Sequence, residues 1–442
     1  MKKIPIGVEN FKEIITNNYY YVDKTKFIEK ILNDGSKIKL FTRPRRFGKT
    51  LNMSTIKHFF DIKNNEENRK LFNNLDIEKS VYIKEQGQYP IIFISMKGIK
   101  DITWEEAKSS LKILISKLYS EFKYLLDDLD EFDLPRFKKY LLADIDFANL
   151  KNALEFLTRV LYEKHKKEVI LLIDEYDSPL ISAYEHNYYD EAINFFKVFY
   201  GEALKTNDYL KMGIITGIIR VIKAGIFSDL NNLRVYSILD KQYSDFFGFT
   251  EKEVEKMLID FSIEYNLPEV KSWYDGYRFG DTEVYNPWSI LNFVQNRELE
   301  GYWIGTSGNF LIKEVLKDSN SEINISLEKL FNGEKIEEVI TGNSDLSSLL
   351  SSFSKKPSQT VRPTVPLQSP NAVFRFLSYY FDRSTRIASF VYQGIDNIIF
   401  TEKIYFAPKP NDPSVFNILD DPDLNQLLDQ AMFLAFILIG TS

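Results

Sequence analysis

The chain has 442 residues with a formal net charge of −7, 44% hydrophobic and 27% charged residues, and no cysteine. That length exceeds what one hydrophobic core serves, so about two or three domains are expected. The missing thiols exclude disulfides, thiolate catalysis and Cys-based zinc sites, and the acidic balance leaves any nucleic-acid contact to a local basic patch.

The first 37 residues hold a lead-in and a helix expected from about Lys24 to Leu32, with Asp23 as its N-cap and Asn33-Asp34-Gly35 as the turn that ends it. From Ile38 to about residue 250, short Ile-rich runs alternate with long amphipathic stretches. The runs are Ile38–Phe41, Ile91–Ser95, Val169–Ile173 and Met212–Thr216. Nearly continuous apolar strands suit a parallel sheet covered on both faces, so this region is expected to be an α/β domain. From 251 to 350 the pattern becomes mainly helical, punctuated by Trp273-Tyr274-Asp275-Gly276-Tyr277 and Tyr285-Asn286-Pro287-Trp288-Ser289. In the second segment Asn286 as N-cap with Pro287 behind it predicts a helix start. Residues 351 to 370, rich in Ser and Pro, read as a linker. Residues 371 to 442 are expected to form a separate α+β unit, strand-like over Ile387–Phe400 and helical over Leu424–Ile439. The apolar run Ala431–Gly440 is roughly half the ~20 residues that a membrane-spanning helix needs. No signal peptide is visible, so a cytoplasmic protein without a membrane partner is expected. His58, His165 and His186 have no metal-ligand spacing.

The richest segment is Arg43-Pro44-Arg45-Arg46-Phe47-Gly48-Lys49-Thr50. It follows a predicted strand and opens a predicted helix whose Met53, Ile56, Phe59 and Phe60 share one face. Gly48, Lys49 and Thr50 match the end of the phosphate-binding pattern G-x-x-x-x-G-K-[ST], but Arg43 stands where its first glycine should be. In that pattern backbone amides cradle phosphates and the lysine neutralises the outer ones. The cradle would be Arg45, Arg46, Phe47, Gly48, Lys49, Thr50 and Leu51, and the Arg43 guanidinium would add charge near the phosphates.

Such a loop needs a second carboxylate motif to hold Mg²⁺. Val169–Ile173 followed by Asp174-Glu175 supplies it: Thr50 and Asp174 would hold the metal, and Glu175 would polarise the attacking water. Acidic residues also end ordinary buried strands, and Asp177-Ser178-Pro179 is itself a helix start, so that plainer reading stands beside it. A third stretch, Gly213 to Arg220, places Thr216 at a strand end where it would sense the outer phosphate. Arg220 is a cation available to the phosphates in cis or in trans, or simply a surface arginine.

Taken in order, Tyr21-Val22-Asp23-Lys24-Thr25, the loop at 43 to 50, Leu172-Ile173-Asp174-Glu175-Tyr176-Asp177, Ile215-Thr216-Gly217-Ile218, Phe227-Ser228-Asp229-Leu230-Asn231-Asn232 and the two aromatic segments resemble the bacterial AAA-ATPase-like P-loop family. The likeness covers roughly residues 4 to 345, and an arginine in place of the first glycine is that family's own form of the loop. It implies a P-loop NTPase core at 1–250 with a helical extension at 251–350. It also implies ATP and Mg²⁺ as cofactors, with Lys49, Thr50, Asp174, Glu175, Thr216 and Arg220 in the roles given above. Many relatives continue into a nuclease-like domain, but Asp396 and Glu402-Lys403 lack the required arrangement, so nuclease activity is not expected. The resulting expectation is an ATP-hydrolysing switch that controls a C-terminal effector, a protein partner or a homo-oligomer. The alternatives are a nucleotide-binding scaffold with little hydrolysis, or a DNA-processing or defence component.

Overall fold

The Ile-rich runs become strands. In the computed structural model, residues 2–205, 207–218, 232–264, 267–274 and 277–302 are described, together with the backbone of three short strands further along. Arg220, Phe227 to Asn231, Asp275, Gly276, Asp396, Glu402, Lys403 and the expected helix at 424–439 lie outside the described residues, as does most of the expected linker and C-terminal unit.

Five strands, β1 (Ile38–Thr42), β2 (Ile91–Ser95), β3 (Val169–Asp174), β4 (Leu210–Gly217) and β5 (Leu233–Tyr236), form one sheet in the order β2-β3-β4-β1-β5. Every pairing is parallel. Successive side chains on a strand face opposite sides. Val169, Leu171 and Ile173 on one side and Ile170 and Leu172 on the other are all fully buried, so helices cover both faces. The Lys49–Phe60 helix packs on β2 and β3, and the Ala153–His165 helix packs on β3. The expected face of the first of these is buried as a block: Met53, Ile56, Phe59 and Phe60. This is the α/β core with a helix-covered parallel sheet that the sequence led us to expect.

Three details differ from the sequence reading. The early helix spans Lys26–Asn33 with Thr25 at its cap position. Asp23 sits two residues earlier, where its carboxylate accepts the Thr25 N–H at 2.8 Å and the Thr25 hydroxyl at 2.6 Å. Its other oxygen accepts the Asp76 N–H at 2.7 Å, so the residue ties two loops together. The edge strand β5 was not foreseen, because four residues including the charged Arg234 make too short a run to stand out.

The chain divides into two compact units: Lys2–Arg43 with Gly48–Tyr236, and Pro44–Phe47 with the chain from Ser237 onward. In the second unit, the region expected to be mainly helical also carries a small antiparallel sheet. Its strands β6 (Phe249–Thr250), β7 (Tyr277–Phe279) and β8 (Thr282–Tyr285) run in the order β6-β8-β7. Strands of two to four residues are too short to show alternation in sequence. Helices Glu251–Asp260, Leu267–Tyr274 and Pro287–Asn296 accompany them. The last begins as expected, with the Asn286 side chain accepting the Trp288 N–H and Pro287 in the first turn. Further along, β9 (Ile336–Glu338), β10 (Pro366–Leu367) and β11 (Ala388–Tyr392) pair in the order β10-β11-β9.

Candidate functional site

Parallel strands that share a direction bring their carboxyl ends to one edge, where ligands of open α/β sheets bind. In the first unit β1 leads there to Arg43, and Gly48 opens the next helix with φ of 81°, a conformation glycine adopts without strain. Lys49 is buried and its ammonium donates to the Arg43 carbonyl at 2.9 Å. One helical residue on, the Thr50 hydroxyl donates to Asp174 Oδ2 at 2.9 Å. From the neighbouring strand end, the Thr216 hydroxyl donates to Asp174 Oδ1. The structure thus brings Lys49, Thr50, Asp174 and Thr216 together.

Asp174 is fully buried, and burial pushes its pKa above the ordinary carboxylate value. The two hydroxyl donors and the Lys49 charge pull it back in part, while the neighbouring Glu175 charge opposes them. Glu175 itself stands in the left-handed region with φ of 51°. A non-glycine residue there costs about 1–2 kcal/mol, and such strain gathers at functional sites. The turn is held by the Ser178 N–H on the Glu175 carbonyl at 3.0 Å and the Ser178 hydroxyl on Glu175 Oε2 at 3.2 Å.

Two residues to which the sequence reading gave no role in the site join this edge. Asp177 occupies the cap position of the Ser178–Glu185 helix without capping it; its buried carboxylate instead accepts the Ile218 N–H at 2.7 Å, just past Thr216. Lys97 lies two residues beyond Ser95, which is in register with Asp174. Its ammonium pairs with Glu9 at 3.2 Å. Partial burial draws the Lys97 pKa down, but the bond to Glu9 and the charges of Glu175 and Asp174 outweigh that and raise it. The signal that could have found Lys97 is its place just after a strand of the same sheet.

Arg43 departs from expectation. Its side chain is fully buried, and its guanidinium donates to the carbonyls of Thr42 at 2.8 Å and Tyr236 at 2.7 Å. The charge expected near the phosphates is spent inside the fold.

Pro44 to Phe47 cluster with the second unit. There Phe47 is buried against Tyr277 and Phe279, with ring centroids 4.7 and 5.2 Å away. The Gly248 N–H donates to the Phe47 carbonyl at 3.2 Å, and a Cβ at Gly248 would lie 2.9 Å from the Phe47 ring. The Arg46 guanidinium lies 4.0 Å over the Trp288 ring, and Arg46 has a positive φ of 67°. Burial lowers its pKa, and the Arg45 charge adds to that effect. Tyr277 and Trp288 therefore have concrete contacts with loop residues, while Tyr274 is buried as a core aromatic.

Thr50 Oγ1 and Asp174 Oδ2 are two hard oxygens converging from adjacent elements, a donor set that suits Mg²⁺, which takes few protein ligands and fills its shell with phosphate and water. Among the described residues no group of three or more His, Cys, Asp or Glu side chains could hold a metal. None of those residues forms a helix long and apolar enough to cross a membrane.

The sheet order, the Gly-Lys-Thr turn between β1 and its helix, and the carboxylate ending β3 define a P-loop NTPase-like core. A family profile described as "Predicted AAA-ATPase" matches residues 5–227, and the chain belongs to that family. Membership supports ATP binding in general. The chain is also 27% identical over 328 residues to an "Uncharacterized protein in vnfD 5'region" of Azotobacter chroococcum mcd 1, a match covering 72% of this chain and 56% of that relative. No solved structure matches the chain.

Proposed function

We propose that the protein is a Mg²⁺-dependent ATPase that works as a conformational switch. One observation carries the reading: the hydroxyls of Thr50 and Thr216 meet on the buried Asp174, beside a strained Glu175. In this reading the amides of residues 45 to 51 wrap the phosphates and Lys49 leaves the Arg43 carbonyl to neutralise them. Thr50 and Asp174 hold Mg²⁺, which when bound offsets charge on the phosphate oxygens. Glu175 accepts a proton from the attacking water, and Thr216 links the metal-holding carboxylate to β4. Arg220 serves as a further cation. Hydrolysis then changes the state of the loop and controls the C-terminal part of the chain or a partner.

Phosphoryl transfer asks mainly for positioning and charge neutralisation, and a carboxylate base contributes on the order of 10²–10⁴ in rate. Glu175→Gln keeps the size of the side chain and one accepting oxygen but removes its basicity. The variant is expected to retain bound ATP through gel filtration while its turnover falls by about two orders of magnitude. Turnover equal to that of the parent protein would remove Glu175 from the role. ATP bound with no turnover in either protein would favour the scaffold reading.

A further inference from the structure

Arg43 occupies the place of the first glycine in the phosphate-binding pattern, yet it points into the fold. Its links reach three strand ends of the first unit. Its N–H donates to the Gly217 carbonyl at the end of β4, at 3.1 Å. Its guanidinium donates to Thr42 of β1 at 2.8 Å and to Tyr236, the last residue of the edge strand β5, at 2.7 Å. Its own carbonyl receives the Lys49 ammonium at 2.9 Å.

A glycine here would keep the backbone links and lose both side-chain links. Burying a guanidinium is costly unless its N–H groups find acceptors, so an arginine at full burial marks a position where both carbonyls are used. Both bonds come from one nitrogen, Nη1, whose two N–H groups the guanidinium plane holds at fixed angles, a geometry that a lysine ammonium on a flexible stem does not reproduce. The carbonyl that accepts Lys49 belongs to the same residue, so holding the side chain holds that acceptor. A long lysine side chain has many rotamers, and one fixed acceptor selects among them before any ligand arrives.

We propose that Arg43 is a positioning residue: by clamping the ends of β1 and β5 it fixes the carbonyl on which the Lys49 ammonium rests, and so sets the place from which Lys49 meets a phosphate. The last step rests on the nucleotide reading above; the clamp itself does not.

The test is brief acetylation of lysines in the nucleotide-free full chain, read by peptide mass spectrometry, in the parent protein and in Arg43→Met and Arg43→Lys. Lys39, buried in β1 of the same unit, reports whether the fold is intact. Both variants are expected to label several-fold faster at Lys49 with Lys39 unchanged. Their affinity for a fluorescent ATP analogue should weaken about tenfold, which is ~1.4 kcal/mol. An unchanged Lys49 rate in either folded variant would overturn the proposal. So would rates at Lys39 and Lys49 that rise together, since Arg43 would then only hold the fold. Full retention of tight binding in Arg43→Lys would point to charge instead of the fixed guanidinium geometry and would also overturn it. If the parent protein binds no ATP analogue, the nucleotide reading fails while the labelling rates still decide the clamp.

Discussion

His58 stands on the helix that follows the Gly-Lys-Thr turn, its Nδ1 2.8 Å from the Ser54 carbonyl and its ring 6.3 Å from that of Phe11. Burial holds its pKa below the ordinary 6.5; the bond to Ser54 opposes this, and the charges of Lys57 and Lys12 reinforce it. Well above pH 6.5 the imidazole is uncharged in folded and unfolded chains alike and contributes no pH dependence. As the pH falls below about 6.5 the unfolded chain takes up the proton first, so the native state loses stability until its own lower pKa is passed. The slope from one such group is at most ~1.4 kcal/mol per pH unit. His58→Gln should therefore lose less stability than the parent between about pH 7.5 and about pH 5.5, measured as the difference in Tm; equal losses would contradict this. Arg43 and Asp177 both end on partners distant in sequence. Each residue type suited its expected role, phosphate charge for one and helix cap for the other, but neither destination was legible. A partner 193 or 41 residues away in sequence leaves no local pattern.

Among elements, β1 to β4 were readable because strands of a parallel sheet covered on both faces are nearly all apolar, and Ile-rich runs satisfy that. The short β5 and the small β6-β8-β7 sheet were not, since their stability comes from partners distant in sequence. The candidate site was legible where it depends on strand ends: Thr50, Asp174 and Thr216 were each named from the residue that closes a strand or opens a helix. Gly217 shows how tightly that edge is packed. A Cβ there would lie 2.5 and 2.7 Å from ring carbons of Tyr176 and 3.0 Å from Asp177 Cγ. Tyr176 is fully buried, so it has little room to yield. Overpacking of this kind costs about 1–3 kcal/mol. Gly217→Ala is expected to lower the free energy of unfolding by that amount, read from a lower denaturation midpoint, and an unchanged midpoint would show that the edge relaxes freely.

For the whole molecule, the family profile ends at residue 227, and the chain spans 56% of the length of the relative from Azotobacter chroococcum mcd 1. The chemistry proposed here belongs mostly to the first unit. Within the second unit, Phe47 packs on Tyr277 and Phe279, and Arg46 lies over Trp288. The aromatic segments around Tyr277 and Trp288 stood out in the sequence without a role, and their contacts with loop residues give them one in structural terms. ATP hydrolysis at this site is tested by phosphate release from the purified chain with ATP and Mg²⁺, compared with Lys49→Ala. Steady release is expected from the parent protein, with a fall on the order of 10²–10³ in the variant, as when a charge-stabilising donor is removed. Equal release by the two proteins would contradict it.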